Sequence, residues 1–276
     1  MTEERRGDPP PAPEPLPAPA LDAHCHLDAM GCRDAGDVAA VMTAAAAVGV
    51  RRVVTVGDTV ASSRWCASAA AAHDDVYAAV AVHPNEVMGL DADGYAELAR
   101  LAARPQVRAV GETGLDYYWD RVPKAAQQQA FRRHIALAKA IGKALVIHDR
   151  DAHDDLLGIL DDEGAPEHTV LHCFSGDAAM AQRCVDAGYV LSFAGTVSFA
   201  NAPALREAVA LVPDEQLLVE TDAPFLTPVP YRGRPNAPYL IPVTLRSIAA
   251  ATGRPLARLC DAVTATATRV FGLETR

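Results

Sequence analysis

Residues 143–173 read KALVIHDRDAHDDLLGILDDEGAPEHTVLHC. A short apolar, β-branched run ends in His148, a helical pattern begins near His153, and a second apolar run ends in His172 and Cys173. That is strand, helix and strand, the repeating unit of a parallel α/β sheet, with a histidine at the same end of both strands.

The unit repeats outward in both directions. Strands are expected near 21–27 (LDAHCHL), 51–57 (RRVVTVG), 76–83 (VYAAVAVH), 107–112 (VRAVGE), 143–148, 168–173, 189–194 (YVLSFA) and 217–222 (LLVETD). Alanine-rich runs ending at Gly49 and His73 are strong helix formers. The stretch QQQAFRRHIALAKAIG places Phe131, Ile135, Leu137 and Ala138 at helical spacing before Gly142 stops it, and a further helix is expected after Pro255. Eight β/α alternations imply a closed (β/α)8 TIM barrel. An open doubly wound sheet is the alternative, but no glycine-rich phosphate loop follows the first strand.

With 276 residues and 50% hydrophobic content the chain can bury one sizeable core, so a single barrel domain is expected over residues 21–276. Residues 1–20, rich in proline, alanine and charge and without apolar periodicity, read as a disordered tail. No apolar stretch follows Arg5-Arg6 to make an export signal, and none is long enough to span a bilayer. Six cysteines without a CxxC pair fit reduced thiols, so a cytoplasmic monomer or weak oligomer with no membrane partner is expected. A net charge of −10 argues against sequence-independent wrapping of duplex DNA, which needs a basic surface. Any nucleic-acid site must be compact and locally cationic.

His24, His26, Glu112, His148, His172 and Asp222 fall at the C-terminal ends of the expected strands, the end where barrel active sites form. A lone strand histidine is more often hydrogen-bonded core than ligand, but six such residues at one end call for a common cause. Residues two apart share a strand face, so His24 and His26 should aim into the barrel and Cys25 outward; the same alternation turns Cys173 away from His172. Imidazoles with carboxylates suit Zn²⁺ or Mn²⁺, and carboxylates with water admit Mg²⁺. Six ligands exceed the need of one tetrahedral ion and suggest two divalent ions bridged by a carboxylate.

The strings LDAHCHLD (21–28), VHPNE (82–86), GETGLDYYWD (111–120), VIHDRDA (146–152), HCFSG (172–176) and ETDAPFLTP (220–228) together resemble the TatD family of metal-dependent deoxyribonucleases, from residue 21 to about 273. The resemblance implies that His24, His26, Glu112 and Asp222 hold one metal and that Glu112, His148 and His172 hold the second. Glu112 is the implied bridge and Asp222 the implied proton acceptor for the attacking water. The implied reaction is hydrolysis of phosphodiester bonds in DNA, as single strands or from an end, with RNA as a further partner. Three positions depart from the family pattern: Asn85 and His134 stand where histidine and glutamine are frequent, and Ala237 stands where glutamate is common.

Around this cluster, Arg150, Arg232 and Arg234 are candidate phosphate contacts and His83 a candidate substrate contact. Tyr117, Tyr118 and Trp119 offer either a base-stacking platform or packing beneath their loop. His153 with Asp154 and Asp155 reads as a helix start, where acidic side chains favour the dipole. The competing function is an amidohydrolase or aminoacyl-tRNA deacylase acting on a cyclic amide or ester through the same metal site. Such barrels often bridge their metals with a modified lysine, whereas Lys143 starts its strand. A metal-binding scaffold without turnover is a further alternative.

Overall fold

Short runs of valine, leucine and alanine form eight parallel strands: β1 (Ala20–Cys25), β2 (Val50–Gly57), β3 (Val76–Val80), β4 (Val107–Asp116), β5 (Ala144–Arg150), β6 (Thr169–Leu171), β7 (Val190–Phe193) and β8 (Leu217–Val219). They lie side by side in chain order. Helices α1 (Ala35–Ala47), α2 (Val60–Ala72), α3 (Ala92–Ala102), α4 (Lys124–Ile141), α5 (His153–Glu163), α6 (Ala178–Asp186), α7 (Pro203–Leu211) and α8 (Ile241–Thr252) alternate with the strands, and α9 (Leu256–Val270) follows. The molecule is thus a (β/α)8 barrel. This computed structural model describes residues 7–274, so Arg5-Arg6 lies outside the described residues. Among these, no helix is long and apolar enough to cross a membrane.

The seam between β8 and β1 is closed by few groups. Cys25 and Ala223 form a bridge, the His26 N–H donates to the Ala223 carbonyl at 2.6 Å, and the Asp222 N–H donates to the His24 carbonyl at 2.9 Å. The Asp22 carboxylate completes the seam by accepting from the Thr221 N–H at 2.9 Å and the Thr221 hydroxyl at 2.5 Å. Burial pushes the Asp22 pKa up to about 7 even against these bonds. The seam sets the two histidines of the first strand beside the aspartate of the last.

Two strands change face before they reach the mouth. Leu21 and Ala23 of β1 belong to one apolar cluster with Val54, Val146, Val170 and Leu218, while Cys25 and Leu27 belong to the outer layer with the helices. A register shift between Asp22 and Cys25 makes the switch, so that His24 and His26 join the inner side. A second shift between Val110 and Thr113 does the same in β4 and brings Glu112 inward, with Leu115 left outside. The strand ends also differ from expectation. β6 and β8 stop before His172 and Asp222, whereas β4 runs on to Asp116. Cys173 and Asp222 adopt left-handed φ values of 43° and 53°, which cannot continue a strand. Cys173 therefore lies outside the strand on whose alternation its facing was expected to rest, and burial pushes its thiol pKa well up.

Residues 9–19 form no helix or strand, yet they differ from a free tail in being fastened to the barrel. Arg234 donates to the carbonyls of Asp8 and Pro9, Tyr239 to that of Pro10, and Arg246 to those of Glu14 and Pro15. The Leu16 N–H reaches the Val48 carbonyl at 3.0 Å.

At Gly114 the backbone has φ of +137° and a methyl group would collide with the His148 carbonyl oxygen. β4 and β5 can approach here only because no side chain stands between them. Gly114→Ala is expected to destabilise the fold by on the order of 2–3 kcal/mol. Urea melts compared with Gly142→Ala, where a methyl group meets nothing within 4 Å, test whether the collision contributes beyond the left-handed backbone.

Candidate metal centre

Glu112 reaches the barrel mouth only 3% exposed, and its two oxygens face different imidazoles. Oε1 lies 2.7 Å from His148 Nδ1 and 2.9 Å from His172 Nε2. Oε2 lies 3.3 Å from His24 Nε2 and 3.7 Å from His26 Nε2. Asp222 Oδ1 stands 3.5 Å from His26 Nε2 and 3.9 Å from His24 Nε2. The fold thus gathers all six residues singled out from the sequence. Their donor atoms group as His24, His26 and Glu112, as His24, His172 and Asp222, and as Glu112, His148 and His172.

The orientation of the rings fits cation binding. His26 Nδ1 lies 2.9 Å from the Val56 carbonyl, which can only accept, so this nitrogen carries the hydrogen and Nε2 turns its lone pair to the cluster. His172 Nδ1 faces Glu220 Oε1 at 3.1 Å, and His148 Nε2 faces Asp116 Oδ2 at 3.2 Å. In both, a carboxylate takes the far N–H and the near nitrogen points at Glu112. His24 Nε2 and His26 Nε2 are 3.2 Å apart; for two ligands about 2.1 Å from one ion that separation subtends roughly 100°, close to tetrahedral. Two lone pairs at that distance repel unless a positive charge lies between them.

In the protein alone, protons are drawn into the same positions. Burial opposes the imidazolium at His148, but Asp116 and Glu112 outweigh it and carry the pKa up to about 9. At His26 burial is likewise outweighed, by Asp58, Asp222 and Glu112, to about 10. Burial and the neighbouring His172 lower His24 to about 4. Glu112 and Asp222 with Asp116, Glu220 and Asp58 around them make five carboxylates, against three imidazoles, His26, His148 and His172, that are drawn toward the charged form, a balance that suits a cation.

Three further residues, Asp116, Glu220 and Asp58, matter that the sequence alone did not single out. Asp116 binds His148 through one oxygen and accepts the Asn85 side-chain amide at 2.9 Å. Asn85 thus steadies Asp116, which gives its departure from the family pattern a local role. Glu220 also accepts from the Cys173 N–H at 2.7 Å and the Ser192 hydroxyl at 2.5 Å, and Asp58 lies 3.4 Å from His26 Nδ1. The parity of β4, in which positions 112, 114 and 116 share a face, carried the signal for Asp116.

The other sequence candidates sort differently. His83 Nδ1 accepts the Asn85 N–H at 3.1 Å, so Nε2, 3.6 Å from Glu112 Oε1, presents a hydrogen toward the mouth. Burial and His148 lower its pKa to about 3, which keeps the ring neutral. Arg150 lies on the rim over the Tyr118 ring, and Arg232 lies over Phe199. Arg234, expected as a phosphate contact, is instead spent on the Asp8 and Pro9 carbonyls, because the N-terminal segment offers it acceptors. His153 starts α5 as expected and binds Asp149 at 2.7 Å. Asp116→Ala is expected to weaken divalent-ion affinity at the His148 and His172 end by about 10–100-fold. Mn²⁺ titration followed by electron paramagnetic resonance checks this; an unchanged Kd would reduce Asp116 to a loop anchor.

The family model described as TatD related DNase matches residues 21–272. The protein named uncharacterized metal-dependent hydrolase TatD of Mycobacterium tuberculosis is 53% identical over 258 residues, covering 92% of this chain and 98% of its own. The hydrolase YabD of Bacillus subtilis, with the same form of name, is 37% identical over 252 residues, or 91% and 98% of the two chains. Among solved structures, YJJV, a TatD homolog from Escherichia coli K12, matches with a TM-score of 0.86 at 28% identity, covering 92% of this chain and 98% of that one. The matched span takes in the strands of the barrel from Leu21 onward and every residue of the cluster, and the chain therefore belongs to the TatD-related DNase family and is a metal-dependent hydrolase.

Proposed function

We propose that this hydrolase cleaves phosphodiester bonds in DNA, taking single strands or free ends, with two divalent ions, Mg²⁺, Mn²⁺ or Zn²⁺, held at the barrel mouth. The observation that carries the reading is the division of Glu112, one oxygen toward His148 and His172 and the other toward His24 and His26. A carboxylate so placed suits a pair of ions and needs no modified lysine. Lys143 is bound at the opposite end of the barrel by the carbonyls of Ala102, Arg104 and Val107. Bound divalent ions would supply Lewis acidity toward the phosphoryl oxygens and make water a better nucleophile at neutral pH.

The chain's own groups supply the rest. Asp222 is held by its N–H to the His24 carbonyl, and its side chain is 13% exposed where that of Glu112 is 4% exposed. It is the carboxylate placed to meet a water from the mouth and to accept its proton. His83, neutral and with its Nε2 hydrogen facing the same space, donates a hydrogen bond to a phosphate oxygen. Arg150 supplies positive charge at the rim.

Digestion of end-labelled single-stranded and duplex DNA with added Mn²⁺, run beside RNA, an aminoacyl ester and a dihydropyrimidine amide, tests the reading. Turnover of the ester or the amide with no cleavage of DNA would overturn it. Asp222→Asn should keep the fold, by circular dichroism, while lowering kcat by at least about 10²-fold. Because the net charge is −10, few phosphates can be neutralised. Two to four contacts to a single strand give a log–log salt slope of roughly −1.4 to −2.8, and a slope of about −5 would reveal an extended basic surface instead.

A further inference from the structure

The loop between β4 and α4 presents Tyr118 and Trp119, 53% and 41% exposed, at the same mouth. Both backbone N–H groups donate to Asp116 Oδ1, at 3.1 and 3.3 Å. The other oxygen of that carboxylate holds His148. The exposed rings are therefore fixed to the same anchor as a candidate metal ligand. Arg150 pairs with Asp116 across the β4–β5 ladder, and its guanidinium carbon lies 3.7 Å from the Tyr118 ring centre and 5.8 Å from that of Trp119. Arg121 lies 4.5 Å from the Trp119 ring centre.

Among the described residues Arg150 and Arg121 form no salt bridge, so no carboxylate of the chain takes up their charge, unlike that of Arg64, Arg132, Arg183, Arg254 and Arg258. Tyr117 shows what packing looks like in the same loop: its hydroxyl donates to Asp155 at 2.7 Å, Gln128 donates to it, and Lys124 covers its ring. Tyr118 and Trp119 carry an arginine each, Arg150 and Arg121, but stay 53% and 41% exposed, and they meet each other edge to face with ring centres 4.9 Å apart. A guanidinium laid on a ring keeps its N–H edge open to phosphate, and both keep π faces open to a flat partner. A paired duplex hides the faces of its bases; a single strand offers them.

We propose that Tyr118, Trp119 and Arg150 form a subsite for the unpaired base of the nucleotide flanking the scissile phosphate. This rests on the phosphodiesterase reading and deepens it, since the subsite selects single-stranded or frayed DNA over paired duplex. Arg150 contacts the phosphate edge and the rings take the base.

The test uses the full chain carrying Asp222→Asn, loaded with Mn²⁺, and fluorescence anisotropy with a short labelled single strand. A second strand of the same length carries abasic residues. Trp119→Ala is expected to weaken binding of the base-bearing strand by about 5–100-fold. Trp119→Phe should restore most of it, and Tyr118→Ala should act in the same direction. The abasic strand should bind weakly to all forms, so the ratio between the two strands collapses in the alanine variants. Tight binding of the single strand that neither alanine variant alters would overturn the subsite while leaving the phosphodiesterase reading intact. Equal binding of both strands to the parent protein would do the same. Failure of every oligonucleotide to bind, with the amide turned over by the unmutated enzyme, would remove both.

Discussion

Glu112 carries a carboxylate into a place only 3% exposed, and compensating that buried charge organises the whole mouth. Desolvating an ion costs several kcal/mol unless partners surround it. Here the partners are imidazoles from the ends of four different strands: His24 from β1, His83 after β3, His148 from β5 and His172 after β6. Each can reach Glu112 only if its strand ends at the same height, so the electrostatics of one residue constrain the stagger of the barrel. An outer layer repeats the pattern with reversed sign, as Asp116, Glu220 and Asp58 take the far sides of His148, His172 and His26. The rings are thereby fixed in orientation before any ligand arrives, which reduces the reorganisation that binding demands.

Much of this was legible because a parallel barrel advertises its active end: an apolar run closing on a histidine or acid marks both a strand and its direction. His148 and His172 showed the rule within one β/α/β unit, and Glu112 and Asp222 fitted it. What strict alternation could not give was the facing of His24 and Glu112. Counted from Leu21 and Ala109, both would point outward, and the register shifts in β1 and β4 reverse that. Such shifts are set by how neighbouring strands pair, and no local residue pattern encodes them. Glu220 was hidden for a related reason, since it lies past the end of β8 and its bond to His172 depends on ring orientation and not on spacing. Alternation does not extend to Cys173, which lies beyond the end of β6 with a left-handed backbone.

Asp116 shows how closely folding and function are joined here. Its two oxygens divide between a candidate metal ligand and the aromatic loop, while its own N–H and carbonyl are both held by the buried Gln127 side chain. Gln127 sits on α4, which His134 also ties to β4 through Thr113 at 2.7 Å. The helix behind the barrel therefore supports the mouth through two buried polar contacts, and the loop cannot drift without disturbing His148.

The N-terminal segment has a consequence of a different kind. Its attachments from Arg234, Tyr239 and Arg246 all end on main-chain carbonyls, and all five residues bound, Asp8, Pro9, Pro10, Glu14 and Pro15, are proline or precede one. Proline contributes an acceptor with no N–H of its own to satisfy, so a proline-rich stretch is a ribbon of unclaimed acceptors, and a composition that looks unfoldable becomes a good mate for arginine. Recognition of this sort is indifferent to side-chain identity. The stretch is free to diverge in sequence while keeping its grip on the strands' last loop, and it lies outside the span on which family likeness is judged.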